Sequence, residues 1–537
     1  MSQAKENSSQ VGSEQWLALA AIIIGTFVAV LNSSLLNVAL PKLVTVFGST
    51  TDTMQWVLTG YMLASAVVIP LSGYLGDKFG YKKILLLSIT GFTAGCFLCG
   101  LAWSDTSMIA FRILTGLAGG LIMPVGMSII YMIIPRDKIG MALGLWGISS
   151  MSAPAIGPTL SGYLVQYFSW RLLFFLSVPL GILAIVMTSI LLKETPKKPN
   201  AFFDKMGTVL SMTAFGTILL ALSKGQSEGW TSLYIVSLLF TGFFSLILFI
   251  WVELGQEQPL MDLRLFKIPE FSLSVITSGL VTMGMFGGIF LMPIYLQNIL
   301  GMSAIQTGLL LMPQSIAMAL MMPLSGRLFD KVGVVPLGVV GLAIVGITTY
   351  DLHLLEVNTP THWLNILVTI RGIGIGLCMM PLSTVGMNAV PKHLVGRASP
   401  LSNVIRQVLG SLSIAILTAI MTTRATWHGA VIAEGVSVTN DTANQTLQML
   451  SATLAQGGLD AASAQAAAMS TLGGVIQQEA MVRAIGDAFF ISAMPVFACI
   501  PLVFFYLRKK KAPSAPAPAP APAPVAGQKA LEPAPGN

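Results

Sequence analysis

The stretch P-L-S-G-Y-L-G-D-K-F-G from Pro70 to Gly80 returns as P-L-S-G-R-L-F-D-K-V-G from Pro323 to Gly333. Pro, Leu, Ser, Gly, Leu, Asp, Lys and Gly recur at identical spacing, and Gly73 and Gly326 stand 253 residues apart. A pattern repeated at that distance divides the chain into two related halves. In both copies a long apolar run ends in a short turn bearing Gly, Asp and Lys, which is how a membrane span enters a tight aqueous loop.

The flanking sequence fits that reading. Hydrophobic residues make up 54% of the chain and charged residues 9%, with a mean hydropathy of +0.79, whereas a soluble domain carries about 25% charge. This is the composition of an integral membrane protein. Apolar stretches of about 20 residues recur along most of the length, and hydrocarbon forces each to satisfy its backbone internally as a helix. The expected fold is all-α with fourteen spans, near 16–38, 54–75, 83–102, 107–134, 139–165, 170–192, 206–223, 231–252, 271–296, 303–325, 334–350, 363–388, 399–422 and 486–507. Six spans need roughly 200 residues, so a repeat offset of 253 leaves room for two linking spans between two six-helix halves. The organisation expected is an N-terminal tail 1–15, a first half 16–193, a linking pair 194–270, a second half 271–507 and a Pro/Ala-rich tail 508–537. Within the second half, 424–485 is rich in Ala, Gln, Ser and Thr, and reads as an extracytoplasmic loop with some helical pieces, too polar to span.

The net charge of +7 is a topology signal and not a nucleic-acid footprint, because Lys and Arg sit in short loops between spans. With the N-terminus in the cytoplasm, basic residues favour the inside by about fourfold. Both termini are therefore expected to be cytoplasmic, in the cell (inner) membrane. The four cysteines, Cys96 and Cys99 among them, fall inside apolar spans and read as small hydrophobes. Neither a nucleophile–base–orienter cluster nor an ATP-binding loop is visible, so the chain does not read as an enzyme.

Four sets of residues carry chemistry. In the repeated turn, Gly73, Gly80, Gly326 and Gly333 permit close backbone approach, Asp77 and Asp330 can accept hydrogen bonds from a helix N-terminus, and Lys82 follows the first copy. The duplication marks these as a gating loop, since a mere solvated turn has no reason to be kept in register twice. In R-I-L-T-G-L-A-G-G (112–120), Arg112 lies inside a span, where a charge is costly and marks a functional site. Arg371, before G-I-G-I-G (372–376), is its loose counterpart. In P-A-I-G-P-T-L-S-G, Pro154, Gly157, Pro158 and Gly162 should kink a helix and thin its face. Asn32, Asn37, Tyr61, Gln314 and Asn388 are polar points that would orient a ligand in a methionine-walled pocket.

Together the G-Y-L-G-D-K-F-G-Y-K-K turn, the R-x-x-x-G-x-x-G-G helix and the G-P-T-L-S-G helix resemble the signature motifs of the major facilitator superfamily. The extra central spans, N-V-A-L-P (37–41), W-R-L-L-F-F-L-S-V-P-L-G (170–181) and V-G-R-A-S-P-L-S-N-V-I-R-Q (395–407) are similar to its fourteen-span drug:proton antiporter branch, the EmrB/QacA type. The resemblance implies export of lipophilic compounds by alternating access. It needs no cofactor beyond the proton gradient, its partners are a small lipophilic substrate and the bilayer, and a periplasmic adaptor joins them if the cell is Gram-negative. It also implies that the turn aspartate gates the rocking, that Arg112 takes part in proton coupling and that the 154–162 helix marks an antiporter. One departure stands out: this branch usually carries an aspartate where this chain has Asn32, and asparagine cannot ionise. Every acid falls in a loop, tail or span end, with Glu253 and Asp487 nearest membrane depth. The missing mid-membrane carboxylate favours neutral, zwitterionic or anionic amphiphiles over cations. A non-transporting sensor of the same fold and an uptake transporter for a small metabolite are the alternative readings.

Overall fold

The computed structural model of the chain describes residues 13–135, 138–198, 202–435 and 441–507. The tail expected at 508–537 and residues 1–12 lie outside the described residues. The first half comprises α1 (Ser13–Phe47), α2 (Thr51–Val68), α3 (Leu71–Phe79), α4 (Tyr81–Gly100), α5 (Asp105–Gly119), α6 (Ile122–Ile133), α7 (Ile139–Tyr167), α8 (Leu172–Phe175) and α9 (Ser177–Leu191). Next come the linking helices α10 (Lys205–Glu228) and α11 (Leu233–Gly255). The second half comprises α12 (Pro269–Ile294), α13 (Ala304–Val332), α14 (Val334–Asp351), α15 (Thr361–Ala389), α16 (Val395–Gly435), α17 (Asp441–Gln456) and α18 (Ala461–Val503). No strand occurs among the described residues.

Local chemistry sets many of the boundaries. Ser104 and Ser303 close reciprocal capping boxes with Ser107 and Gln306, and the Asp204 and Ser232 side chains cap α10 and α11. Pro70 separates α2 from α3, which meet at a 57° bend. Among the described residues twelve helices, or runs of helix, are long and apolar enough to cross a membrane, and the bent pair makes a thirteenth. The helix α7, at the place of the fifth expected span, has 29 residues, or about 43 Å of length, which is compatible with a fourteenth. The kink expected there does not interrupt it: α7 runs as one helix from Ile139 to Tyr167.

The helix neighbours repeat across the two halves. In the first half α1 packs on α7 and α9, α5 packs on α2 and α4, and α9 packs on α4. In the second half α12 packs on α16 and α18, α15 packs on α13 and α14, and α18 packs on α14. The two sets correspond as α1/α12, α2–α3/α13, α4/α14, α5–α6/α15, α7/α16 and α9/α18. The doubled turn in the sequence is thus one visible part of a doubled architecture. Its backbone is doubled as well: Gly80 and Gly333 both adopt positive φ, +93° and +81°, and donate from N–H to the carbonyls of Gly76 and Phe329 to end their helices.

The structure alters the reading of 424–485. The helical pieces expected there make up most of the segment: α16 continues unbroken to Gly435, α17 follows, and α18 begins at Ala461. At 41 and 43 residues, α16 and α18 are roughly 60 Å long, about twice the hydrocarbon thickness. That is more than a span needs; α16 and α18 pack on each other, and α17 packs on α18. Gln, Ser and Thr made the segment look too polar to span, whereas its Ala and Gln are strong helix formers.

The halves meet where the repeated turns lie, here called the turn face. A Cβ on Gly73 would fall 2.6 Å from the Gly396 carbonyl oxygen at the start of α16, and a Cβ on Gly140 would fall 2.7 Å from the Gly326 carbonyl oxygen. Gly73 pairs with Gly396 as Gly326 pairs with Gly140, so the two contacts are related by the duplication. Away from the turn face α7 and α13 stay interlocked, through Gly162 against Ile305 and Gly308 against Thr159. The other seam, between α2 and α16, is covered by linking helix α10, which packs on both. A Gly326→Val substitution should push α13 off α7 and weaken this closed arrangement by about 1–3 kcal/mol. Thiol cross-linking between Met141→Cys and Arg327→Cys, whose native side chains touch, should fall sharply in that background; undiminished cross-linking would show that the glycine contact does not hold the halves together.

Candidate functional site

Each half buries one arginine among its helices. Arg112 on α5 is wholly inaccessible. Its Nε donates to the Val57 carbonyl at 3.1 Å, its Nη1 donates to Asn32 Oδ1 at 2.8 Å, and its guanidinium lies 4.2 Å from the centre of the Tyr61 ring. Asn32 Nδ2 in turn donates to Ser177 Oγ at 3.2 Å. Arg112 therefore ties α1, α2 and α9 to α5, and its Nη2 is left without a hydrogen-bond partner. Arg371 on α15 occupies the equivalent place and is 1% exposed. It donates from Nε to Thr349 Oγ1 at 3.0 Å and from Nη2 to the Gly284 carbonyl at 2.9 Å, with Gly288 leaving space for the guanidinium. Neither arginine belongs to an ion pair among the described residues.

The first turn is held by an ion pair. Lys198 Nζ sits 2.9 Å from Asp77 Oδ2, the Lys198 N–H donates to the Asp77 carbonyl at 2.7 Å, and the Tyr81 hydroxyl donates to Asp77 Oδ1 at 3.1 Å. The Tyr81 hydroxyl also lies directly over Gly396, so the Asp77 cluster abuts the contact between halves. Lys82 takes no part in this cluster; its Nζ donates to the Ser189 carbonyl at 2.8 Å. In the second copy, Asp330 Oδ1 lies 3.1 Å from where a Cβ on Gly140 would stand. That places a carboxylate at the N-terminus of α7, a favourable site for negative charge. On α7 itself Gly157 lets Ser34 of α1 approach closely, Gly162 admits Ile305, and the side chain of Pro154 lies outside the described residues. Pro158 follows Gly157 on the same continuous helix.

Between the halves lies a cavity of about 170 Å³, lined from the first half by α6 and α7 and from the second by α12, α13, α15 and α16. Five methionines, Met123, Met127, Met322, Met379 and Met380, form much of its wall. Its polar lining includes Asn403, Arg406 and Gln407 on one face of α16, and Arg406 Nη2 donates to Asn403 Oδ1 at 2.9 Å. No carboxylate lines it among the described residues. The methionine-rich wall agrees with the sequence, but the expected polar points do not line this cavity. Asn32 is consumed by Arg112 and Ser177, Tyr61 lies under the Arg112 guanidinium, Gln314 packs against Gly372, and Asn388 has no place in the lining. The side chain of Asn37 lies outside the described residues. Arg406, which does line the cavity, stood inside the V-G-R-A-S-P-L-S-N-V-I-R-Q segment, and its position one turn after Asn403 was the available signal. Asp487, one of the two acids nearest membrane depth, is occupied by Arg424 at 2.5 Å and His428 at 2.9 Å.

Removal of the Asn32 amide should strand Arg112 further. Asn32→Leu is expected to cost about 1–3 kcal/mol and to lower the melting temperature in detergent. Asn32→Leu combined with Arg112→Met, which removes the buried charge with its partner, should be less destabilised than Asn32→Leu alone; additive losses would show that the two side chains are not coupled.

The Major Facilitator Superfamily profile matches residues 22–415. The chain is 38% identical over 419 residues to the uncharacterized MFS-type transporter YhcA of Bacillus subtilis (strain 168), covering 78% of this chain and 79% of that one. It is 33% identical over 405 residues to the lincomycin resistance protein LmrB of the same organism, covering 75% and 85%. With the multidrug resistance protein B homolog of Mycobacterium tuberculosis (strain ATCC 25618 / H37Rv) the identity is 31% over 425 residues, covering 78% of each. Among solved structures, the proton:xylose symporter XylE bound to 6-bromo-6-deoxy-D-glucose matches in fold with a TM-score of 0.58 at 13% identity, covering 93% of this chain and 96% of that one.

Proposed function

From the premise that the chain belongs to the major facilitator superfamily and is a multi-pass membrane transporter, we propose that it exports lipophilic, drug-like compounds in exchange for protons. It works by alternating access in the cell membrane, with the turn face and both termini in the cytoplasm. The observation that carries this reading is the cavity between the halves: flexible methionine walls suit varied apolar bodies, and an orienting polar face holds one cation, Arg406, and no acid. The names of the lincomycin and multidrug resistance relatives support the substrate class.

The geometry gives each element a part. A substrate enters apolar end first between Met127, Trp146 and Met379, and displaces little water there. Its polar or anionic group meets Arg406, which Asn403 holds in place. At about 170 Å³ the cavity is smaller than a drug-sized ligand occupies, so binding and widening go together. Opening toward the cytoplasm requires the Gly73–Gly396 and Gly140–Gly326 contacts to part. The Lys198–Asp77–Tyr81 cluster restrains one of those contacts, and Asp330 at the α7 N-terminus restrains the other.

The preferred substrates are neutral, zwitterionic or anionic amphiphiles. Arg406→Gln should weaken export of an anionic amphiphile by roughly tenfold or more, from the loss of a charged hydrogen bond worth about 1.5–3 kcal/mol, while a neutral analogue keeps its rate. Tighter binding of a quaternary ammonium dye than of its neutral analogue by the purified protein would overturn the preference. Asp77→Asn should slow export and leave insertion intact; undiminished export would remove Asp77 from the gate. Export itself is tested by substrate-dependent proton flux in inverted vesicles, which a sensor of the same fold would not produce.

A further inference from the structure

Among the described residues no carboxylate or histidine lines the cavity between the halves, yet two carboxylates lie buried at the turn-face ends of the linking helices. Asp204, before α10, uses Oδ1 to accept from the Gly207 N–H at 2.8 Å; Glu253, in the last turn of α11, uses Oε2 to accept from the Met261 N–H at 3.3 Å. Their other oxygens, Asp204 Oδ2 and Glu253 Oε1, have no hydrogen-bond partner, although the residues are 3% and 1% exposed. Both free oxygens converge on one point. A Cβ on Gly207 would touch Asp204 Oδ2 and stand 2.7 Å from Glu253 Oε1, so the absent side chain of Gly207 is what lets them face each other. Two ionised carboxylates withdrawn from water at such range repel strongly, and a single shared proton removes the repulsion and satisfies both oxygens.

The surroundings point to a proton and not a metal. No group of three or more His, Cys, Asp or Glu side chains suited to a metal occurs among the described residues. The other charged groups nearby are committed: Asp262 accepts from the Arg264 N–H, Arg264 is held by the Leu254 and Gln256 carbonyls, and Lys205 is exposed. Among the described residues, Arg397 on α16 is a cation whose charge acts on Glu253 and also on the Tyr81 hydroxyl that donates to Asp77. Arg397 adjoins Gly396, the residue that Gly73 touches across the halves.

We propose that Asp204 and Glu253 form a proton-binding site that holds one proton between their unpaired oxygens and couples it to the turn-face gate through Arg397. A hydronium ion gives its proton to one carboxylate and leaves as water, and the resulting O–H donates to the other. On deprotonation the pair gains one negative charge, draws Arg397 toward α10 and α11, and loosens the start of α16 from Gly73 and the Asp77–Tyr81 cluster. The proton site stands independently of the transport reading; its use in exchange rests on that reading.

The test uses the purified full-length chain in lipid nanodiscs without substrate, so its outcome does not depend on export. Infrared difference spectra across a pH jump through neutrality should show loss of a protonated carboxyl C=O band as the pH rises. Glu253→Gln should abolish that band and Asp204→Asn should move its loss to lower pH, while Glu270→Gln, an exposed control, leaves it unchanged. Asparagine caps helices as well as aspartate, so Asp204→Asn remains decisive if Glu253→Gln fails to fold. A band whose pH dependence is unchanged in Asp204→Asn, or a spectrum that responds to sodium or magnesium ions at fixed pH, overturns the proton site. In parallel, thiol cross-linking between Met141→Cys and Arg327→Cys should depend on pH, and Asp204→Asn should shift that dependence to lower pH together with the band. Dependence that is unchanged in the variant overturns the coupling to the gate.

Discussion

Everything in this molecule depends on two backbone contacts between its halves, Gly73 against Gly396 and Gly326 against Gly140. Lipid offers helices little hydrophobic reason to associate, so van der Waals approach and hydrogen bonds must hold them. Glycine gives the closest approach and the least resistance to separation, since no side chains interdigitate. An interface built this way is suited to closing and parting repeatedly. The charged groups gather around it for the same reason: Asp77 with Lys198 and Tyr81 beside one contact, Asp330 at the helix N-terminus beside the other.

The interior of each half is built in the opposite manner. Arg112 and Arg371 are wholly buried and bonded to several helices each. A buried charge that loses its partners is expensive, so these helices resist sliding past one another. The halves are therefore rigid where the arginines lie and separable where the glycines lie. The linking pair breaks the symmetry, because α10 covers the α2–α16 seam while α7 and α13 form the other seam unaided.

The sequence carried the duplication because the turn demands particular residues: glycine is the residue that takes up the positive φ of Gly80 and Gly333 without strain, and a short acid fits at the helix N-terminus. Arg112 was legible for an equally local reason, a guanidinium inside an apolar run. Contacts made over distance in the chain were not. Lys198, and not Lys82, pairs with Asp77 from 121 residues away, and Asp204 meets Glu253 only because α10 and α11 form a hairpin. Asn32 has the chemistry of a pocket residue, a neutral amide set in an apolar first span, yet the arginine that claims it lies on α5, 80 residues further along the chain. Helical pieces across 424–485 were legible from propensity, but their continuity with the spanning helices α16 and α18 was masked by a polarity that argued against a span.

The central claim is that the halves close and part at the glycine contacts of the turn face. Electron–electron distance measurements between spin labels at Met141 and Arg327, in proteoliposomes, test it most directly. Two distance populations are expected, the shorter matching the closed contact, with their ratio shifted by a transported amphiphile. A single population, unchanged by any such compound or by pH, would contradict the account.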